Sequence, residues 1–184
     1  DTSKRVEKGE QITLGFDGSR TDDHTGFVGC RVSDSHLFTL GLWNPAEQTG
    51  GEIPTDQVDL EVAKAFEDSD VVAFYSDYSP WESYVDKWEQ QYRDLLCAFP
   101  TARHCVAWDM RQRTRETTQM AEAFHAAVID HDLTHAGSRR ESQYVYNAKK
   151  RRNNFGVTFG KETAFSSRKV DWLAAAMLAR QARQ

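Results

Sequence analysis

The sequence predicts an α/β domain: a mixed sheet of five or more strands flanked by helices, with an added basic β-hairpin. Three observations carry that prediction. Short apolar runs separated by turn residues open the chain. Helical periodicity then alternates with short, continuously apolar runs of the kind buried on both faces of a sheet. Late in the chain, a basic, glycine-punctuated stretch leads into a last amphipathic helix.

Residues 1–10 are polar and read as a linker remnant, leaving 11–184 as one domain. Gln11 to Phe16 is a strand ended by the turn signal Asp17-Gly18-Ser19. Gly26 to Val32 and His36 to Trp43 are two more strands, joined through a hairpin turn at Ser33-Asp34-Ser35. Asn44 to Gly51, with Pro45 and Gly50-Gly51, is a loop. Val58, Val62, Ala65 and Phe66 recur at helical spacing, and Val71 to Tyr75 suits a buried strand with Asp77 just past its end. Pro80 is expected to open the next helix, with Trp81, Tyr84, Val85, Trp88 and Leu95 on its buried stripe. His104 to Trp108 is expected to be a fifth strand, followed by Asp109 as a helix-initiating acid. Met120, Phe124 and Val128 mark one side of the following helix. Ser138 to Ala148 is expected to be helical and basic on one face, and Lys149 to Glu162 a basic hairpin. Val170, Leu173, Ala174, Met177 and Leu178 define the last helix, with Ser167 as its expected cap. An antiparallel meander continued through helical crossovers by parallel strands is the ribonuclease-H-like order.

The 184 residues suffice for one domain with a proper core. No apolar run approaches the roughly 18 residues of a transmembrane helix, so no membrane association is expected. The chain begins at Asp1 rather than methionine. It reads as trimmed from something longer, with no signal peptide. Cys30, Cys97 and Cys105 fit neither a zinc ribbon nor a disulfide framework, and are expected to be buried free thiols in a reducing cytoplasm. Charge is unevenly spread. Between Ala136 and Lys169 nine basic residues face two acids, a net of +7, which leaves −12 on the rest of a chain whose total is −5. A positive stretch on an acidic body suits a local phosphate-binding face, or equally a solvated surface.

Asp17 closes the first strand, Asp77 the fourth, and Asp171 lies in the first turn of the last helix. In this fold the first and fourth strands are neighbours, and the last helix packs at the same sheet end. Acids 60 and 94 residues apart in the chain would then converge. Carboxylates that close repel one another, and a divalent cation removes the penalty. Magnesium prefers oxygen ligands and manganese accepts them too. Two such ions about 4 Å apart can activate a water and stabilise the leaving oxygen of a phosphodiester. Asp17 is the expected bridging ligand, with Asp77 on one Mg2+ or Mn2+ ion and Asp171 on the other. Asp23 is a candidate further ligand, or a loop acid accepting backbone hydrogen bonds. Asp22 is a weaker candidate.

The residues around these acids resemble the nuclease domain of tailed-phage large terminase subunits, over about Gln11 to Ala179. Gly15-Phe16-Asp17-Gly18-Ser19, with Asp23 and Gly26, resembles the family's first acidic motif. Ser76-Asp77-Tyr78-Ser79-Pro80-Trp81-Glu82 resembles the second, although Tyr78 stands where related sequences often have proline. His135-Ala136-Gly137, Tyr146-Asn147-Ala148-Lys149, Gly156-Val157 and Gly160-Lys161-Glu162 lead into Ser167-Arg168-Lys169-Val170-Asp171. That succession resembles the DNA-handling hairpin and third acidic motif. The resemblance implies a metal-dependent endonuclease that cuts concatemeric double-stranded viral DNA during packaging, in the cytoplasm of an infected bacterium. It also implies a terminase ATPase domain, a small terminase subunit and a portal as partners. Arg139, Arg140, Lys149, Lys150, Arg151, Arg152, Lys161, Arg168 and Lys169 are the candidate DNA contacts, giving affinity without sequence choice. Lys161 and Lys169 lie nearest Asp171 in sequence and could steady the scissile phosphate. Gly156 to Glu162 has neither the spacing nor the Ser/Thr of a phosphate loop, so no ATPase activity is expected of these residues.

Three other readings stay open from sequence alone. One is another nuclease of this fold, such as a junction resolvase or ribonuclease H. A second is a non-catalytic DNA-binding or assembly module with structural acids. The third, a zinc site at His131, Asp132 and His135, lacks the Glu of the one-helix zinc pattern.

Overall fold

Strand β1 (Gln11–Asp17) has two faces, and its alternation organises the domain. Ile12, Leu14 and Phe16 enter one core cluster, while Thr13, Gly15 and Asp17 take the opposite face. The computed structural model describes residues 5–163 and 166–184, so residues 1–4 of the expected linker lie outside the described residues. Strands β2 (Thr25–Arg31) and β3 (His36–Trp43) continue β1 as an antiparallel meander. Helix α1 (Thr55–Asp68) crosses over to β4 (Asp70–Ser76), which pairs parallel with β1. A two-residue β5 (Thr134–His135) joins β3, so the sheet order is β4-β1-β2-β3-β5. This is the mixed five-stranded sheet expected.

Helix α1 and helix α2 (Glu82–Tyr92) cover the face that carries Phe16, whose ring meets Trp81 and Trp88 edge-on at 5.1 and 5.2 Å. Helices α3 (Thr114–Ile129), α4 (Arg139–Asn147) and α5 (Asp171–Arg183) lie on the other face. Strands β6 (Lys149–Asn153) and β7 (Gly156–Gly160) form a separate basic hairpin that packs on α3. Asn153 Nδ2 donates to Thr118 Oγ1 at 2.8 Å, and Val157 N–H to Glu122 Oε1 at 2.8 Å.

Helix α5 is buried at every residue from Asp171 to Ala179, wider than the one-sided stripe its sequence suggested. Its alanines let it sit between the sheet and two helices, as a helix apolar all round must. Two glycines make its seat. A Cβ at Gly15 would stand 2.0 Å from the Ala175 carbonyl oxygen and 2.3 Å from the Ala179 nitrogen. One at Gly26 would stand 3.0 Å from the Asp171 carbonyl oxygen. Thr13 Oγ1 donates to the Ala179 carbonyl at 2.6 Å in the same seat.

Several local expectations fail for physical reasons. His104 to Trp108 is no strand: only Ala107 bridges to Ser76. The Val72 carbonyl on that edge is taken by the Cys97 and Ala98 N–H groups, so a partner strand cannot extend along β4. Pro80 lies in the turn before α2, which starts at Glu82 after Trp81. Leu95 is 59% exposed, and Leu96 takes its place in the core once the helix tightens into a 3-10 turn. Val128 is exposed at the α3 C-terminus, and Cys97 is an exposed thiol whereas Cys30 and Cys105 are buried. Asp109 closes a turn by accepting the Arg111 and Gln112 N–H groups, and α3 begins only at Thr114. Ser167 does not cap α5: the N-cap is Val170, with no side-chain cap. Ser138 does cap α4, in a full capping box with Glu141. Residues 5–10 are tied down, Gly9 N–H to the Asp68 carbonyl and the Arg5 carbonyl to Arg31.

Glu89 substitutes for the missing strand. Its Oε1 accepts the N–H groups of Val106 and Ala107, each at 3.0 Å, and His104 Nδ1 lies 3.1 Å from Oε2. Burial alone would raise its pKa, but those two N–H donors and His104 outweigh it and hold the carboxyl below its ordinary 4.5. A depressed carboxylate adds stability above its unfolded pKa and loses it as pH falls through the folded one. Glu89→Ala therefore costs about 2–3 kcal/mol at pH 7, by orphaning two N–H groups. Urea unfolding at pH 7 and in the acid range below 4 checks this, because the difference narrows in acid.

Candidate active site

Strand parity and register bring the acids together. Asp17 shares its face of β1 with Thr13 and Gly15, and Asp77 follows Ala73 and Tyr75 on the matching face of β4. The parallel register pairs Phe16 with Ser76, and Asp77 N–H donates to the Phe16 carbonyl at 2.9 Å. The two aspartates thus leave neighbouring strands side by side. On the other side of β1, Asp17 pairs with Gly26, against which the first turn of α5 is pressed. That contact delivers Asp171 to the same sheet end.

The electrostatics record how crowded the acids are. Burial, then repulsion from Asp171, Asp77 and Asp23, pushes Asp17 well above the usual carboxylate range. Burial, then Asp23, pushes Asp171 up to about 6. Asp77 is raised by burial, with the Met110 and Tyr78 N–H groups opposing the rise. Both of those hydrogen bonds fall on Oδ1, at 3.1 and 3.0 Å. Asp171 Oδ2 is buried without a hydrogen-bond partner among the described residues, a costly arrangement unless something else satisfies it.

Asp23 stands at the mouth of this cluster between two ammonium groups. Lys161 Nζ contacts its Oδ2, and Lys169 Nζ lies 2.6 Å from its Oδ1. Burial would raise the Asp23 pKa, but the hydrogen bonds and charges of these two lysines lower it overall. Among the described residues, no three His, Cys, Asp or Glu side chains are drawn tightly enough together to hold a metal ion as they stand. The two lysines engage Asp23. The donor set nevertheless fits a hard divalent cation. It is all oxygen, desolvated and short of positive charge, with an orphaned oxygen on Asp171. Asp22 is exposed in the loop beside it.

The other basic residues divide into groups. Arg168 pairs with Glu162 at 3.1 Å, and Arg151 donates to the Lys161 and Glu162 carbonyls, so both brace the chain after β7. Lys149, Lys150 and Arg152 are exposed on β6. Arg139 and Arg140 are exposed at the start of α4, with Arg140 3.5 Å from Glu47. Nothing in the sequence alone singles out Glu89 or His24, and Tyr144 carries only a weak signal. The signal for the last was the i, i+4 spacing of Arg140 and Tyr144 on a helix already expected.

No family model matches the chain. It is 40% identical over 180 residues to the Gene 13 protein of Mycobacterium phage L5, covering 97% of this chain and 30% of that protein. It is 39% identical, over the same shares, to the Gene 13 protein of Mycobacterium phage D29. The chain thus spans about 30% of the length of these relatives. Among solved structures, it superposes on the large terminase nuclease of the thermophilic phage G20c with a TM-score of 0.65 at 12% identity, covering 96% of this chain and 86% of that one. The HK97 bacteriophage large terminase gives 0.65 at 12% identity, with 95% and 40% covered. The Thermus phage P74-26 nuclease domain gives 0.60 at 14% identity, with 95% and 82% covered. The fold of this chain is that of the phage large terminase nuclease domains, and its sequence relatives are phage proteins.

Proposed function

We propose that this chain is the nuclease domain of a phage large terminase subunit. In this reading it is a divalent-metal-dependent endonuclease that cuts concatemeric double-stranded viral DNA during genome packaging. The observation that carries this reading is the meeting of Asp17, Asp77 and Asp171 at one sheet end, Asp171 buried and the other two half-buried, with repulsion and desolvation raising all three and Asp171 Oδ2 unsatisfied among the described residues. The fold it shares with terminase nucleases supports the reading, as do structures of the G20c enzyme with bound magnesium, cobalt and zinc.

Asp17, Asp77 and Asp171 would hold Mg2+ or Mn2+, in our reading two ions, with Asp23 as a further ligand once its lysines are displaced. When bound, the metal supplies a nucleophilic water at neutral pH and charge stabilisation for the phosphoryl oxygens. The protein's own part is positional. The Met110 and Tyr78 N–H groups fix the Asp77 carboxylate through one oxygen. Helix α5 fixes Asp171, and burial limits competing water. Lys161 and Lys169, both ion-paired with Asp23, carry compact charges on flexible stems and in this reading leave Asp23 for a phosphate. The exposed Lys149, Lys150 and Arg152 of the hairpin add sequence-independent affinity for the DNA backbone. Further partners in this reading are the terminase ATPase domain, the small terminase subunit and the portal, in the cytoplasm of an infected bacterium. No helix among the described residues is long and apolar enough to cross a membrane.

The test is supercoiled plasmid incubated with the protein in magnesium, in manganese and in excess chelator, beside Asp77→Ala. The expected result is metal-dependent nicking and linearisation that disappears in the variant. DNA binding with no cleavage in either metal would favour a binding module, and cleavage restricted to RNA–DNA hybrids would favour a ribonuclease H.

A further inference from the structure

Beside the carboxylate cluster lies a second concavity, of about 460 Å3, between the loop after β1 and helix α4. His24, Arg139, Arg140, Tyr144, Asn147 and Lys169 line it. On α4 the spacing 139, 143, 147 and 140, 144 sets these side chains on one face of the helix. Tyr144 is buried, its hydroxyl 2.5 Å from His24 Nδ1, so the loop and the helix are joined across the floor of the pocket. Asn147 Nδ2 donates to the Lys169 carbonyl at 2.9 Å, which fixes the chain entering α5 as the third wall.

The charge balance of the pocket opposes that of its neighbour. Two arginines, Arg139 and Arg140, face one carboxylate, Glu47, which lies 3.5 Å from Arg140 in an exposed pair of little energetic weight, and Lys169, whose charge is shared with Asp23, adds a third cation. Lys169 belongs to both sites, because its Nζ also lies 2.6 Å from Asp23 Oδ1. A phosphodiester chain meeting bare carboxylates is repelled. Cations immediately alongside offset that repulsion and fix the strand's position.

We propose that this pocket seats an uncut backbone phosphate of the DNA next to the scissile one. Arg140 and Lys169 neutralise it, and the His24–Tyr144 pair forms the floor against which it rests. The proposal rests on the nuclease reading for the identity of its ligand and deepens it by naming a positioning subsite.

The test is fluorescence anisotropy of a labelled duplex in excess chelator across a salt series. The expected result for Arg140→Gln is an affinity three- to tenfold lower and a log K against log salt slope less steep by about one. Arg140→Lys is expected to restore the slope, and Lys64→Ala, on α1, to leave both quantities unchanged. His24 side-chain 15N resonances are expected to shift on adding duplex to the unaltered protein and not to Arg140→Gln. A duplex affinity and slope indifferent to Arg140→Gln would overturn the proposal. So would Arg140-dependent binding of a deoxynucleoside monophosphate without any effect on duplex, which would assign the pocket to a free nucleotide. The plasmid assay separates the two readings. Arg140-dependent binding without metal-dependent cleavage retains the pocket and removes the nuclease; cleavage with Arg140-independent binding does the reverse.

Discussion

Without metal at pH 7, Asp171→Asn melts above the unaltered chain, while in Mg2+ or Mn2+ its DNA cleavage falls by at least about 100-fold, more than loss of an outer metal partner usually costs. The gain arises because Asp171 is raised to about 6 from 3.8, by burial and then by Asp23. A carboxyl with a raised folded-state pKa destabilises the fold once it must ionise. The cost is absent below its unfolded pKa, grows between about 4 and 6, and is complete above that. The shift is worth on the order of 1–3 kcal/mol, discounted because Lys161 and Lys169 lie near and would lose an attraction. For a chain of this size that is several degrees. Melts in chelator at pH 7 and at pH 4 check the origin, since the gap between variant and parent should close in acid. An equal gain at both values would trace it to something other than ionisation, and a loss at pH 7 would make Asp171 a structural acid. Adding Mn2+ should raise the parent and leave the variant nearly still, because only a folded state that binds the ion gains from it.

That opposition of stability and function explains what could be read in the chain beforehand. Asp17 and Asp77 were legible because a strand has a period of two. Once β1 and β4 are parallel neighbours, acids one residue past the same register must meet. Asp171 was legible through its place at the start of a strongly periodic helix. The signals that failed belong to long-range competition for backbone groups. His104 to Trp108 has the composition of a strand, but Cys97 and Glu89 take the bonds that a strand needs. Leu95 and Leu96 differ by one position, and the 3-10 turn at Arg93–Leu95 decides which of them points inward. Asp23 reads as one more acid in a loop. Only the folded chain brings Lys161 and Lys169, 138 and 146 residues away, onto its carboxylate.

Gly15→Ala is expected to be the most destabilising single methyl group in the domain. In most strands alanine for glycine is neutral or better, because glycine loses more backbone freedom on folding. At Gly15 the added Cβ meets the Ala175 carbonyl oxygen at 2.0 Å and the Ala179 nitrogen at 2.3 Å, both backbone atoms of α5. No rotamer change relieves such a contact, so the helix must retreat by more than an ångström along a face where it is buried from Asp171 to Ala179. Overpacking a core costs typically about 1–3 kcal/mol, and a clash with fixed backbone belongs at or above the top of that range. The retreat would also stretch the Thr13 to Ala179 hydrogen bond, now 2.6 Å, and carry the first turn of α5 away from Gly26. Activity should therefore fall further than stability alone dictates, because Asp171 moves with that turn while Asp17 and Asp77 stay on the sheet. Chemical denaturation and plasmid cleavage, measured at a temperature where the variant is still folded, separate the two effects. A variant with parental stability would mean that α5 does not sit against β1 in solution. A folded variant with parental cleavage would mean that Asp171 is not held by this seat.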